Sequence, residues 1–313
     1  MEKIKQFQHL RIAVLGYNGI GKHHIQVLNK LGAKICGILT SSNASGIEAV
    51  RKIKDRFGIE TKSYTDLSEL IKICNPDAIH ICTPDKNHFS NILEAFENNI
   101  PVFCEKPLFW NESINQEEVY TKISTIKNHP NRKIFMNTSN SSIIYQTKAR
   151  QYEIEKIKSF TLEFSTNGNK KFQNIASDLL PHGLSMLQEV AGTSLEAKDF
   201  SAEYNENKYF CRFIYKNINV SFKFSECPHS EKVMIFTINS KRYQRIQSIK
   251  NQQIIVSILD HDTEGTFPIE NPLEVFIRDF LEFCINPDID KRDDFERISW
   301  NILMMSKLLL ETK

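Results

Sequence analysis

Residues 14–24 read "VLGYNGIGKHH", where glycine spacing hints at chemistry done by backbone. In a Gly-x-Gly-x-x-Gly loop, the first glycine makes the tight turn. The second lets backbone approach a pyrophosphate, and the third lets helix pack on strand. Gly16 and Gly21 hold the first and third places, Asn18 stands at the second, and Gly19 comes one step late. Asn tolerates left-handed backbone better than most residues, which makes Asn18 the least harmful substitute. A cradle over Gly16, Asn18, Gly19, Ile20 and Gly21 would then offer phosphates the N–H groups and dipole of the next helix.

About 20 residues on, such a loop pairs with an acid that grips a ribose 2′-OH. The run "CGILTSSNAS" offers Thr40, Ser41 and Ser42 instead. A carboxylate repels a 2′-phosphate, whereas hydroxyls donate to it, so the stretch leans toward NADP(H) over NAD(H). An ordinary polar strand end reads the same way.

Further on, "SDLLPHGLSML" sets Asp178 and His182 four residues apart, on one face of a helix. An imidazole moves protons near neutral pH, and a carboxylate can orient it or accept from a hydroxyl. Asp178 also suits a helix N-cap, since Pro181 fits within a first turn. His182 also suits a semi-buried structural histidine. No His/Cys/Asp cluster has metal-ligand spacing.

The elements that must carry these residues alternate at first. "RIAVLG" predicts a buried strand, "IGKHHIQVLNKLG" a helix closed by Gly32, and "AKICGILT" a second strand. Helices at "SGIEAVRKIKDRFG", "DLSELIKIC" with Asp66 as N-cap, "HFSNILEAFENN" and "NQEEVYTKISTIKN" alternate with strands at "DAIHICTP", "PVFCEKP" and "KIFMNTSN". Such alternation implies a doubly wound parallel sheet over residues 1–140. Over 141–313 six strands follow: "KIKSFTLEFST", "AKDFSAEYN", "KYFCRFIYK", "INVSFKFSE", "KVMIFTINS" and "QQIIVSILD". Their short turns favour antiparallel neighbours. One early helix and two closing helices complete an α+β domain with a large, mainly antiparallel open sheet.

The 313 residues suit about two domains. Forty Lys+Arg against 38 Asp+Glu leave a net charge of +2, which gives no reason to expect nucleic acid or an anionic membrane. Seven cysteines without a C-x-x-C pair read as reduced, buried thiols. The N-terminus shows no signal-type apolar block and no run approaches a membrane span, so a cytoplasmic location is expected.

Three stretches then add up. "ICTPDKNH" carries Thr83, Pro84 and His88; "CEKPLFW" carries Glu105, Lys106 and Pro107; Asp178 and His182 follow. With "GYNGIG" in front, in this order, the chain resembles the Gfo/Idh/MocA family of NAD(P)-dependent oxidoreductases, closely over about residues 10–140. The resemblance implies a Rossmann domain and a substrate domain whose sheet often forms a homodimer or homotetramer interface. It implies hydride transfer between NAD(P)(H) and a small sugar, cyclitol or sugar-nucleotide carbon. By it Thr83, Pro84, His88, Glu105, Lys106 and Pro107 join the cofactor set, with Pro107 often cis in relatives. Lys106 would stand near the nicotinamide as the stabilising cation, His182 would transfer the proton and Asp178 would support it.

Relatives often place arginines just after the last Rossmann strand. This chain reads "NTSNSSIIYQTKAR", whose candidates for the substrate are Asn140, Tyr145, Lys148 and Arg150, beside Lys106 and His182. Lys170 and Lys171 could meet an anionic group or stay solvated. Two other readings stay open: an imine, enone or aryl-diol oxidoreductase of the same fold, and a non-catalytic dinucleotide-binding regulator.

Overall fold

A computed structural model describes residues 6–147, 156–250, 253–286 and 293–310. Lys148 and Arg150 lie outside the described residues. The chain forms two compact units, neither of them continuous in sequence. The first takes Met1–Asn111, Tyr120–Asn137 and Phe276–Ile298; the second takes Glu112–Val119, Thr138–Val275 and Ser299–Lys313.

In the first unit, strands and helices alternate as the apolar runs require. The elements are β1 (Arg11–Leu15), α1 (Gly21–Leu31), β2 (Lys34–Leu39), α2 (Asn43–Phe57), β3 (Ser63–Tyr64) and α3 (Leu67–Cys74). They continue through β4 (Ala78–Ile81), α4 (His88–Glu97), β5 (Val102–Cys104), α5 (Gln116–Asn128, of which this unit takes Tyr120 onward) and β6 (Ile134–Met136). The six strands pair in parallel in the order β3-β2-β1-β4-β5-β6. β4, β5 and β6 are buried at every residue, as expected where helices cover both faces. Local signals set the boundaries. Gly32 (φ 88°) and Gly58 (φ 67°) end α1 and α2 in left-handed backbone, and Asp66 Oδ1 accepts from Glu69 N at 2.7 Å to start α3. Phe280 and Phe283, near the end of the chain, join this unit because their rings pack on Phe103 and Phe135 at 5.0–5.5 Å.

The second unit holds α6 (Ser141–Gln146), β7 (Ser159–Thr166), α7 (Asn174–Ala191), β8 (Ala197–Tyr204), β9 (Lys208–Tyr215) and β10 (Ile218–Glu226). It continues through β11 (Val233–Ile238), β12 (Lys241–Lys250), β13 (Gln253–Asp260) and β14 (Gly265–Ile269). Two helices close the chain, α8 (Pro272–Ile285) and α9 (Phe295–Leu310). The sheet order is β14-β13-β12-β11-β7-β10-β9-β8, with only β7 and β10 parallel. Alternation is clean in β10, where Ile218, Val220, Phe222 and Phe224 are buried between exposed Asn219 and Lys223. Lys216 and Asn217 join β9 to β10 with positive φ at both positions, as a two-residue hairpin turn requires.

Several elements depart from the sequence reading. β3, β12, β14 and α6 are additional to it. α7 begins at Asn174, so Asp178 lies in its second turn and is no N-cap, and Pro181 stands inside the helix. The flanking helix surface is almost wholly buried, and that packing outweighs the one backbone bond proline cannot donate. No helix among the described residues is long and apolar enough to cross a membrane.

Candidate functional site

The strand order of the first sheet reverses direction between β1 and β4, and ligands of open parallel sheets bind where the order reverses, beyond the carboxyl ends of the strands. All four cofactor stretches leave the sheet at that edge. Residues 16–20 follow β1, Thr40–Ser42 follow β2, Thr83–Pro84 follow β4 and Glu105–Pro107 follow β5. The edge is tied by backbone bonds: Gly16 N to Leu39 O (2.9 Å), Cys82 N to Leu15 O (2.7 Å), Glu105 N to Ile81 O (2.9 Å) and Asn137 N to Cys104 O (2.8 Å).

The glycine loop is built as a close-packed turn. Gly16 has φ +92°, and a Cβ there would lie 2.7 Å from the Cys82 carbonyl oxygen. A Cβ on Gly21 would lie 2.0 Å from Gly16 O. Gly19 takes the left-handed place at φ +63° and opens onto space free of other atoms. Asn18 is absent from the positive-φ positions and is exposed, so the expectation that it supplies left-handed backbone is corrected: Gly19, one residue later, does so. α1 then starts at Gly21 with no side-chain cap and no acid in its first turn, a fitting end for an anion.

At the end of β2 two of the three hydroxyls have local work. Ser42 accepts from Ser45 N at 3.2 Å in a reciprocal capping box for α2, and Thr40 Oγ1 donates to Ser42 O at 3.1 Å. Ser41 is exposed.

Behind the edge, Glu105 organises a buried polar group. It is 6% exposed; its Oε1 accepts from His24 Nε2 (2.7 Å) and Asn137 Nδ2 (2.6 Å). Burial alone would raise this carboxyl, but the bonds from His24 and Asn137 and the nearby Lys106 charge outweigh it and hold it below the usual carboxylate range. His24 Nδ1 meets His80 Nδ1 at 3.0 Å, and burial, with the His24 ring beside it, pushes His80 well below the usual histidine range. A neutral His80 donates to His24, and His24 donates to the carboxylate. His80 thus belongs to the core, as its strand position predicts, stacked on Phe103 at 4.9 Å.

His88 is 1% exposed and ties the β4 loop to the β5 loop, its Nε2 2.7 Å from Thr83 O and its Nδ1 2.8 Å from Pro107 O. Carbonyls only accept, so a neutral ring donates one of these bonds and a protonated ring donates both. The Lys106–Pro107 peptide is cis. This unit also holds an open cavity of about 740 Å³ at the opposite, amino end of the strands, lined by Arg11, Lys34, Cys36 and Cys74. Burial pushes the Cys36 thiol up to about 12, so it is no nucleophile at neutral pH.

In the second unit, Asp178 and His182 share α7. Asn140, just before α6, donates from Nδ2 to His182 Nδ1 at 3.0 Å. Its Oδ1 accepts from Arg245 Nη1 over a long 3.4 Å. Turning the amide over would set N–H against guanidinium, so Arg245 fixes Asn140, and Asn140 makes Nδ1 of His182 an acceptor. A neutral His182 then carries its proton on Nε2. The Phe164 ring packs edge-on against His182 at 5.4 Å and beneath the Arg245 guanidinium at 5.8 Å.

Of the other candidates, Tyr145 is 53% exposed at the end of α6. Lys171 is paired with Glu206 at 3.4 Å and bonded to Asn207. Arg245 and Asn137 escaped the sequence reading. Asn137 follows a strand whose end was known, so its place beside Glu105 was findable. Arg245 lies on β12, a strand not anticipated.

Residues 10–132 match the model of an oxidoreductase family with an NAD-binding Rossmann fold. An inositol 2-dehydrogenase from Azotobacter vinelandii is 35% identical over 101 residues, which span 32% of this chain and 29% of that enzyme's length. Among solved structures, myo-inositol 2-dehydrogenase from Lactobacillus plantarum superposes with a TM-score of 0.69 at 16% identity, covering 96% of each chain. KijD10, a 3-ketoreductase from Actinomadura kijaniata solved with TDP-benzene and NADP, gives 0.69 at 14% identity over 97% of each chain. These two likenesses are of fold.

Proposed function

We propose, for a chain whose residues 10–132 match the Gfo/Idh/MocA oxidoreductase family model, an NAD(P)-dependent dehydrogenase or reductase. It would act on a carbohydrate-like polyol or ketose, or on a sugar-nucleotide carbon. One observation carries the reading: four loops gather at the strand-order reversal around a glycine turn that tolerates no Cβ at Gly16 or Gly21. That turn and the uncapped start of α1 suit a pyrophosphate. The nicotinamide, when bound, gives or takes a hydride. Gly16, Asn18, Gly19, Ile20 and Gly21 would hold the phosphates, and Thr83 and Pro84 would line the nucleotide. Glu105, Pro107 and His88 would fix Lys106.

Lys106 contributes a positive charge that stabilises negative charge building on the substrate oxygen. His182, with its proton at Nε2, would serve as the proton-transfer group, and Asp178 on the same helix would support it. Asn140 and Tyr145 complete the substrate set. A preference for NADP(H) rests on the missing acid after β2. Ser41 and the first backbone N–H groups of α2 are the donors a 2′-phosphate would meet. Homo-oligomerisation through the large sheet is carried over from the family resemblance alone.

Thermal-shift titration with NADH and NADPH tests the cofactor, because binding to the native state raises apparent stability. The expected result is a shift with both, larger with NADPH; no shift with either removes the reading. Hydride transfer is then followed by nicotinamide absorbance across polyols and sugar nucleotides. Lys106→Ala is expected to lower kcat by about a hundredfold or more while retaining the cofactor-induced shift. Full activity in that variant would end its assigned role.

A further inference from the structure

The inner face of the large sheet carries one row of directly paired side chains across seven strands. From β9 to β14 it runs Tyr209, Phe224, Phe164, Met234, Arg245, Ile258 and Phe267. Every neighbour of Arg245 in the row is apolar or aromatic, and Phe164, Met234 and Ile258 are buried. A guanidinium in such a row conflicts with packing alone, which calls for another apolar residue.

Nor does an internal counterion account for it. Among the described residues Arg245 makes one long bond to Asn140 and one ring contact with Phe164, and no carboxylate is paired with it. Burial pushes its guanidinium down to about 10, so it remains charged at neutral pH. A half-buried cation held beside an apolar row, with most of its fork of five donors uncommitted, matches the geometry of an oxyanion. It also lies one residue removed from His182, through Asn140.

We infer that Arg245 is the oxyanion-recognising residue of the substrate site: the substrate carries a carboxylate or phosphoryl group in addition to the carbon that exchanges hydride. This rests on the oxidoreductase reading for the role of His182. It adds a charge to the substrate class, and it predicts that plain polyols are the poorer ligands.

Calorimetric titration of the NADPH-loaded protein with glucose, glucuronate and glucose 6-phosphate tests it. Glucose is the neutral control, and the two anions separate carboxylate from phosphoryl. At least one anion is expected to bind about tenfold or more tightly than glucose, the worth of a charge-assisted bond. Arg245→Gln is expected to abolish that preference, and Arg245→Lys to keep part of it as a point charge. Equal affinity for glucose and both anions in the wild type would overturn the inference, as would an anion preference that survives in Arg245→Gln. If Arg245→Gln does not fold, Arg245→Lys with an unchanged anion preference and bidentate-independent affinity would argue the same way against a guanidinium fork. Failure of NADPH to bind at all speaks against the oxidoreductase reading instead. The same titration on the unloaded protein then still reads Arg245, and no anion preference there also overturns the inference.

Discussion

Backbone oxygens exclude side chains at both glycines, that of Cys82 at Gly16 and that of Gly16 at Gly21. The Gly16 oxygen lies 2.0 Å from where a Cβ on residue 21 would be, so the turn closes only if residue 21 has no side chain. Gly19 differs: space around it is open and only its φ of +63° favours glycine. Gly21→Ala should therefore lower stability by about 3 kcal/mol through overpacking and abolish the NADH-induced thermal shift. Gly19→Ala should cost about 1 kcal/mol and keep a reduced shift. Melting curves with and without NADH compare the two; equal losses would mean that steric closure of the turn is not what matters. At this scale much of the site was legible. Glycine types mark backbone geometry directly, Thr83 and Glu105 follow strands with strong apolar signals, and His88 opens the helix after one of them. Asn18 misled because the fingerprint assigns the left-handed residue by position, whereas the chain placed it at the next glycine. Arg245 was hidden because its meaning lies in cross-strand neighbours far away in sequence.

The elements show why that was so. Strands buried on both faces, such as β4 and β5, are apolar at nearly every position and read plainly. β12 runs "KRYQRIQSIK", with Tyr243 its one buried residue among those whose side chains are described, and nothing in such a run alternates clearly enough to announce a strand. Its place comes from pairing with β11 and β13. α7 was misjudged at its start for a related reason. Pro181 argues for a first turn when read locally, but tertiary packing extends the helix one turn further back. Asn301 of α9 is 1% exposed and donates to the Pro181 carbonyl at 3.0 Å, holding the helix one residue before His182. Asn301→Ala should lower stability by about 2 kcal/mol through the lost buried bond and the space left behind. It should lower kcat more than it raises KM if α7 must be held for His182 to act. A stability loss with unchanged kcat would limit Asn301 to a structural part.

Across the whole molecule, the titrations of buried groups should set how stability responds to pH. His80 is held neutral well below the usual histidine range, so an unfolded chain takes up a proton near pH 6.5 that the folded chain refuses. Stability is then complete above that pH and declines below it, by up to about 1.4 kcal/mol per pH unit for one such group. Glu105, held below the usual carboxylate range, adds stability that is present at neutral pH and lost as the pH falls from the ordinary carboxylate range through its lowered folded value. Asp294 works in the opposite direction. Burial raises it to about 6, so its protonation favours the folded form as the pH falls from there toward the ordinary aspartate range. A melting curve alone mixes these effects, but a difference between two proteins separates them. His80 lies between the rings of Phe103 and Phe280, at 4.9 and 5.4 Å, where a phenylalanine fits. His80→Phe removes the bond to His24, so its Tm at pH 7.5 should lie below that of the wild type. Between pH 7 and 5 the wild-type Tm should fall more steeply, and the gap should narrow, because the variant has no imidazole to protonate on unfolding. Parallel curves over that window would show that His80 takes up its proton in the fold as readily as in the unfolded chain, and is not held neutral by burial.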